Sequence, residues 1–247
     1  MLDESLQLSP RISVAPVLHG SGDFAVEVRR ILLAHEFDCL AVPLPPSFQT
    51  PVEQAIDRLP NVTAVIQEEC PSFSTNDWTP HSDRDEEETD AKRRVSYVPV
   101  DPCQPVIAAL RVAIQERTPR AFIDLETDHF ESHSITLPDP YALKCVSIER
   151  FAAAALLGIP RPPEGLPTDR IRTMVARLKE LETRYERILF VCALSDWPWI
   201  REAYTQNLMT EEEDTDVEDA QLCSVAPNSL LFMLGELPFL TGLYEQA

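Results

Sequence analysis

Apolar residues occur along this chain in short continuous runs, and these runs alternate with segments in which apolar residues recur every three or four positions. The runs predict β-strands, because a parallel strand covered by helices on both faces is apolar throughout its length. We predict strands at 12–18, 38–42, 62–66, 95–100, 121–125 and 187–194, and a further extended segment at 222–225.

The segments between these runs predict amphipathic helices. In 23–35, Phe24, Val28 and Ile31 fall on one helical face, and Asp23 stands where an N-cap residue is expected. Strands that alternate with helices favour an α/β fold of three layers, with a mostly parallel central sheet flanked by helices. The other predicted helices are 50–59, 104–117, 147–157, 168–186 and 198–206, followed by an apolar end at 230–244.

Two acidic segments interrupt this pattern, at 70–94 and 210–220. Their centres, 83–90 and 211–219, hold 13 of the 41 acidic residues of the chain. Because like charges at this density repel and cannot be buried, we expect two acidic loop insertions that are disordered. Without the two centres the net charge of −20 becomes −8, which is ordinary for a soluble α/β domain.

The remaining pattern predicts one domain over residues 1–247, with one place where it could divide. Segment 158–167 is rich in proline, and it either separates two subdomains or bridges two helices of one domain. The sequence is apolar at 237–244, close to its last residue. Since natural C-termini are more often polar, we expect this chain to be the N-terminal part of a longer protein.

Charge, glycine content and the first residues exclude several classes of function. An excess of 20 negative charges repels nucleic acid and anionic membranes, so we expect neither as a partner. The chain has 6 glycines and no glycine-rich phosphate-binding motif. It begins without a signal peptide, and its longest apolar run is about half the length that crosses a bilayer. We therefore expect a cytoplasmic protein whose six cysteines are free thiols.

Candidate catalytic residues lie where predicted strands end. His19 follows the first strand, Asp124 lies in the strand at 121–125, and Asp196 follows the strand at 187–194. Loops at the carboxyl ends of parallel strands converge, so these three residues could act as general acid and base, or His19 and Asp196 could bind a divalent metal. Each also has a structural alternative: a hydrogen bond to a loop carbonyl for His19, and capping of the following loop or helix for the two carboxylates.

Other residues near these strand ends are candidates for ligand binding. Trp197 could line a pocket, although aromatic residues after a strand more often belong to the core. Gly20 stands where a tight turn from strand to helix needs glycine. The candidate ligand-binding residues are Gly20, Ser21, Arg170 and Trp197.

A pair of histidines forms a separate candidate for metal binding. His129 and His133 flank Glu131 with the spacing of half a zinc-binding helix. The surrounding serine, threonine and proline residues favour a loop, in which this spacing does not place both rings on one face.

Three segments of the chain resemble one known superfamily. Segment 16–44 reads PVLH, then a predicted helix, then FDCLAVPL. Segment 119–125 reads PRAFIDL, and segment 169–200 joins a helix containing MVARL to a strand and ILFVCALSDWPWI. These resemble the GxxH, PDxVxVEL, FIDL, RExxMAxxL and VVGAxHxxGI motifs of the TraB/PrgY-type superfamily, in an uncharacterised bacterial branch. That superfamily includes Tiki-type metalloproteases and, more remotely, erythromycin-esterase-like and haem-binding ChaN-like proteins.

The resemblance implies metal-dependent hydrolysis by two histidines and a glutamate, of which this chain keeps only His19. Pro16 replaces the glycine of the first motif, Pro43 the glutamate, and Asp196 the second histidine. We therefore expect a TraB-like domain that is a non-catalytic binding or scaffold module. The alternative is a divalent-metal-dependent hydrolase, peptidase-like or esterase-like, that uses His19, Asp196 and Asp124. Family analogy implies MoxR-type ATPases and von Willebrand A domain proteins as partners.

Overall fold

The computed structural model describes residues 4–69, 94–131, 135–210 and 217–246 of the chain. Most of the two predicted acidic loops, at 70–94 and 210–220, lies outside these residues, as does His133 of the candidate histidine pair. Within the described ranges, no helix has both the length and the apolar character needed to cross a membrane.

Four parallel strands form the central sheet. They are β1 (Ile12–Val17), β2 (Cys39–Val42), β5 (Arg120–Phe122) and β6 (Ile188–Ala193), in the spatial order β1-β6-β2-β5. The strand β6 pairs with β1 on one side and with β2 on the other. Its residues are almost all fully buried, which explains why its sequence is the most apolar run of the chain.

The other three strands form a second, antiparallel sheet. In this sheet β3 (Thr63–Glu68) lies between β4 (Val95–Val100) and β7 (Gln221–Ser224). Sequence analysis places all three segments correctly as strands but does not separate them from the parallel sheet. The pairing partner of a strand is decided by tertiary contacts, which the local sequence of a strand does not reveal.

Within the described residues, eight helices accompany the two sheets, and the α/β class expected from the sequence is confirmed. The helices are α1 (Gly22–Ala34), α2 (Gln49–Ile56), α3 (Pro105–Gln115), α4 (Ile148–Ala155), α5 (Leu166–Leu181), α6 (Trp197–Gln206), α7 (Leu230–Met233) and α8 (Pro238–Gln246).

Right-handed connections from β1 to β2 and from β2 to β5 place α1 and α3 on one face of the parallel sheet, where they pack against each other. The connection from β5 back to β6 places α5 on the other face, where it packs against α6. The helix α4 of the same connection lies against β1 and α1, with the rings of Phe24 and Phe151 5.3 Å apart.

The last two helices belong to a segment that we call the C-terminal strap, residues 227–246. It returns to the carboxyl end of β1, where Gly235 lies against Gly20. Tyr244 covers Gly22 and donates a hydrogen bond to Asp23, with 2.9 Å between the phenol oxygen and Oδ1. The strap is therefore one wall of the region in which the sequence predicts a site.

Candidate functional site

The parallel sheet has a topological switch point between β1 and β6. Val17 lies opposite Ala193 across the two strands, and the backbone N–H of Leu194 donates to the Val17 carbonyl at 2.8 Å. Beyond this pair the chain enters α1 on one face of the sheet after β1 and α6 on the other face after β6. Loops that diverge from neighbouring strands leave a crevice, which is where open α/β sheets bind ligands.

A cavity of about 580 Å³ occupies this crevice, and we call it the His19 cleft. His19 is exposed to solvent at the cleft, and Ser21, Ser195 and Glu236 supply its other polar side chains. Ser21 is buried, and its hydroxyl has no hydrogen-bond partner within the described part of the chain. A buried hydroxyl without a partner costs free energy, so it marks a place where a ligand atom can bind.

Electrostatic interactions connect the three predicted catalytic residues, of which His19 alone lines the cleft. The charges of Asp196, Arg170 and Asp124 act on His19, and the charges of both carboxylates act on Arg170. Asp196 holds the N-cap position of α6, but its side chain makes no capping hydrogen bond to that helix. Instead it accepts one from the hydroxyl of Ser195 at 2.9 Å. Capping of α6 therefore does not explain the presence of an aspartate at position 196.

Asp124 and Arg170 form a buried ion pair beside the cleft. The Arg170 guanidinium contacts both carboxylate oxygens, through Nε at 3.1 and 3.2 Å and through Nη2. The backbone N–H of Leu125 donates to the same carboxylate at 2.8 Å, and Phe130 stacks on the guanidinium. The side chains of Arg170 and Asp124 are only 15% and 4% exposed, so each charge depends on the other.

The environment of His19 favours a neutral imidazole. The ring reaches solvent through the cleft, yet the surrounding protein removes enough hydration to lower its pKa below the ordinary 6.5. Asp196 and Asp124 oppose this change in pKa, and Arg170 adds to it. A neutral imidazole beside a carboxylate can accept a hydrogen bond or a proton near neutral pH.

The described residues do not supply the ligand set of a metal centre. Within the described ranges, no group of three or more histidine, cysteine, aspartate and glutamate side chains is arranged to hold an ion. Asp124 is engaged by Arg170, so a metal at the predicted pair would have His19 and Asp196 as its ligands without this carboxylate as a third. Metal binding by this pair stays a prediction.

The predicted ligand-binding residues have different positions. Ser21 and Gly20 line the cleft, and Gly20 has a φ of 73°, a backbone conformation that suits glycine. Arg170 lies next to His19 but is engaged by Asp124. Trp197 is buried at 1% exposure and lies in the hydrophobic core, so it is a packing residue and does not line the cleft.

Sequence analysis missed the contribution of the C-terminal strap. Asp101 is fully buried and accepts hydrogen bonds from the backbone N–H of Cys103 at 2.7 Å, from the Gln104 side chain at 3.0 Å, and from the backbone of Gly235. Gln104 in turn accepts a hydrogen bond from the Gly20 backbone at 2.9 Å. Burial raises the pKa of Asp101. The chain has only 6 glycines, and this scarcity is the sequence feature that could have pointed to Gly235.

Comparisons with known proteins identify no relative. Neither the search of protein-family models nor that of curated proteins finds a match to the sequence, and no solved structure matches the fold. The TraB/PrgY-type resemblance and the partners it implies therefore stay predictions.

The contact between strap and cleft predicts opposite effects for two glycine substitutions. In Gly235→Ala the new Cβ would overlap the backbone of Gly20, whereas no described atom lies within 4 Å of a Cβ at Gly242. We expect Gly235→Ala to lower the free energy of unfolding by about 1–3 kcal/mol. Gly242→Ala, inside α8, should raise it by about 0.5–1 kcal/mol. Chemical denaturation measures both, and equal effects would contradict the close approach.

The ion pair beside the cleft predicts a large loss of stability when one charge is removed. Asp124→Asn leaves the Arg170 charge unpaired and should cost about 3–5 kcal/mol. The control is Glu27→Gln, which breaks a more exposed pair with Arg30 and should cost about 0–1 kcal/mol. Adding Arg170→Met to Asp124→Asn should recover most of the loss. A cost for Asp124→Asn no larger than that of the control, measured by denaturation, would show that the pair is not buried.

Proposed function

We propose that this protein is a binding domain and that its His19 cleft holds a small ligand rich in hydrogen-bond donors. The observation that carries the proposal is the composition of the cleft wall. Neutral His19 and the Glu236 carboxylate accept hydrogen bonds, and the hydroxyls of Ser21 and Ser195 can accept or donate them. Among the described residues that line the cleft, none is lysine or arginine.

The charges near the cleft favour an amine or an alcohol over an anion. The charge of Arg170, which acts on His19, is neutralised by Asp124. Glu236 and Asp196 then give the region an excess of negative charge. An anionic ligand would be repelled, while an ammonium or hydroxyl group would find acceptors in place.

The apolar residues of the cleft favour a ligand with an apolar part. Leu18, Ile135 and Leu137 line the cavity together with its polar groups. A cavity of about 580 Å³ with apolar walls and a few convergent polar groups has the size and character of a small-molecule site. The expected ligand therefore has an amine or hydroxyl group on an apolar body.

The resemblance to the TraB/PrgY-type superfamily is consistent with this function. The one family residue that the chain keeps, His19, lies at the cleft. Pro43, in place of the family glutamate, offers no ligand atom, which supports binding in place of metal-dependent catalysis. The MoxR-type ATPases and von Willebrand A domain proteins remain proposed partners on the family analogy alone.

Three probes of one shape test the ligand class. We expect cyclohexylmethylamine and cyclohexylmethanol to bind with dissociation constants of about 1 mM, because each offers a donor on an apolar ring. Cyclohexanecarboxylate, of similar size, should not bind. The measurement is the shift of the His19 imidazole signals in NMR spectra of the full chain during titration.

Matched variants give the controls for these titrations. His19→Gln and Ser21→Ala should weaken the binding of the amine, while His129→Gln changes an exposed histidine away from the cleft and should leave it unchanged. Preference for the carboxylate would overturn the proposed ligand class. Absence of any probe-induced change at His19 would overturn the cleft as the binding site.

A second candidate function is hydrolysis with His19 as general base. The observation in its favour is the lowered pKa of His19, which keeps the imidazole able to accept a proton from water at neutral pH. Asp196 beside it would stabilise the imidazolium that forms. This version of the reaction requires no third ligand and no metal.

The pH dependence of ester hydrolysis tests this second function. Turnover of p-nitrophenyl acetate should rise with pH through a pKa below 6.5 and then level off, since the neutral imidazole is the base. Asp196→Asn should lower that pKa further, because the carboxylate raises it. His19→Gln should abolish the reaction and His129→Gln should not. Equal rates for the chain and for His19→Gln would exclude general-base hydrolysis at this site.

A further inference from the structure

A second cavity lies between the helices α1, α3 and α8. Its volume is about 140 Å³, and we call it the arginine pocket because Arg29 and Arg111 line it. Among the described residues, none lines both this pocket and the His19 cleft. A cavity of about 150 Å³ is large enough for a molecule of the size of benzene. The arginine pocket therefore has room for one small organic molecule.

Apolar side chains of the two packed helices α1 and α3 form part of the pocket wall. Among the apolar residues that line it are Ala25, Leu59, Ile107, Ala108 and Val112. A ligand with an apolar body gains free energy when it covers such side chains and leaves water itself. The wall therefore favours a molecule that has a hydrocarbon part.

A carboxylate of the protein already binds one of the two arginines. Glu245 of α8 accepts hydrogen bonds from Nη1 and Nη2 of Arg111, both at 2.8 Å. This two-point contact is the geometry in which a planar guanidinium recognises a planar carboxylate. The guanidinium of Arg111 carries further N–H groups beyond these two, so it can also donate to a second acceptor.

Arg29 supplies a positive charge that Glu245 does not compensate. This residue of α1 is exposed, and its side chain has no hydrogen bond or ion pair within the described ranges. Among the lining residues that the structure describes, Arg29 and Arg111 are positive and only Glu245 is negative. The amide of Gln115 adds another hydrogen-bond donor. The pocket therefore combines an excess of positive charge with an apolar wall.

We propose that the arginine pocket binds a small carboxylic acid in its ionised form. The carboxylate of the ligand would lie between the guanidinium of Arg29 and the remaining N–H groups of Arg111, with its apolar body against α1 and α3. Inorganic phosphate is a poorer occupant, because it has no apolar part to cover the wall. The proposal is independent of the His19 cleft, whose charges favour an amine or an alcohol.

Titration of the full chain with benzoate tests the proposal. We expect the methyl signals of Ile107 and Val112 in NMR spectra to shift with a dissociation constant of about 1 mM. Benzamide has the same shape without the charge and should bind about tenfold more weakly. The imidazole signals of His19 should not move, which separates this pocket from the cleft. Added salt should weaken the binding of benzoate, since attraction between exposed charges is screened.

Charge variants locate the binding. Arg29→Gln, at an exposed position, should fold and weaken benzoate binding about fivefold, the effect of losing one exposed charge pair. Glu245→Gln should strengthen it by a similar factor, because the repelling carboxylate is removed from Arg111. The matched controls are Arg201→Gln on α6 and Glu202→Gln, which breaks an exposed pair with Arg161, and neither should change the affinity.

Four results would contradict the proposal. Equal binding of benzoate and benzamide would show that the pocket does not recognise the carboxylate. Equal weakening by Arg29→Gln and Arg201→Gln would show that benzoate responds only to the overall charge of the chain. Displacement of benzoate by an equal concentration of inorganic phosphate would show that the pocket attracts any anion. Methyl signals of Ile107 and Val112 that do not respond to benzoate would exclude the pocket as a binding site.

Discussion

The position of β6 between β1 and β2 is the constraint on which the rest of this structure depends. This strand is the last of the four in the chain and lies inside the sheet. Because the sheet is covered on both faces there, the side chains of Ile188–Ala193 are buried and apolar on both faces. Its insertion also reverses the direction in which the chain crosses the sheet. The loops after β1 and β6 therefore diverge, and His19 and Ser195 line the crevice between them.

The ionisable groups on the two sides of this crevice are in different states. On one side Arg170 and Asp124 are buried and depend on each other, with the backbone N–H of Leu125 satisfying the carboxylate further. On the other side the imidazole of His19 loses hydration and stays neutral. The compensated ion pair, the neutral base and the Ser21 hydroxyl, which has no partner among the described residues, support the proposed binding of a polar group.

The C-terminal strap connects the cleft to the surface of the molecule. Its inner side is polar and is held by Asp101, which bonds the Gly235 backbone, and by Arg111, which pairs with Glu245. These polar contacts fix the orientation of the strap, so its apolar residues remain exposed to water. Exposure of apolar surface is unfavourable in free energy. The closeness of Gly235 to Gly20 explains why glycine stands at both positions.

The sequence by itself determined the α/β class and the approximate positions of the strands, because hydrophobic periodicity is a local property. Only the tertiary structure decided that β3, β4 and β7 form a separate sheet, since pairing depends on distant residues. It also decided that Arg170 takes Asp124 as its partner, that Trp197 belongs to the core and that α8 turns its apolar side outward. Hydrophobic spacing shows that a helix has two faces, but which face is buried depends on contacts far apart in the chain.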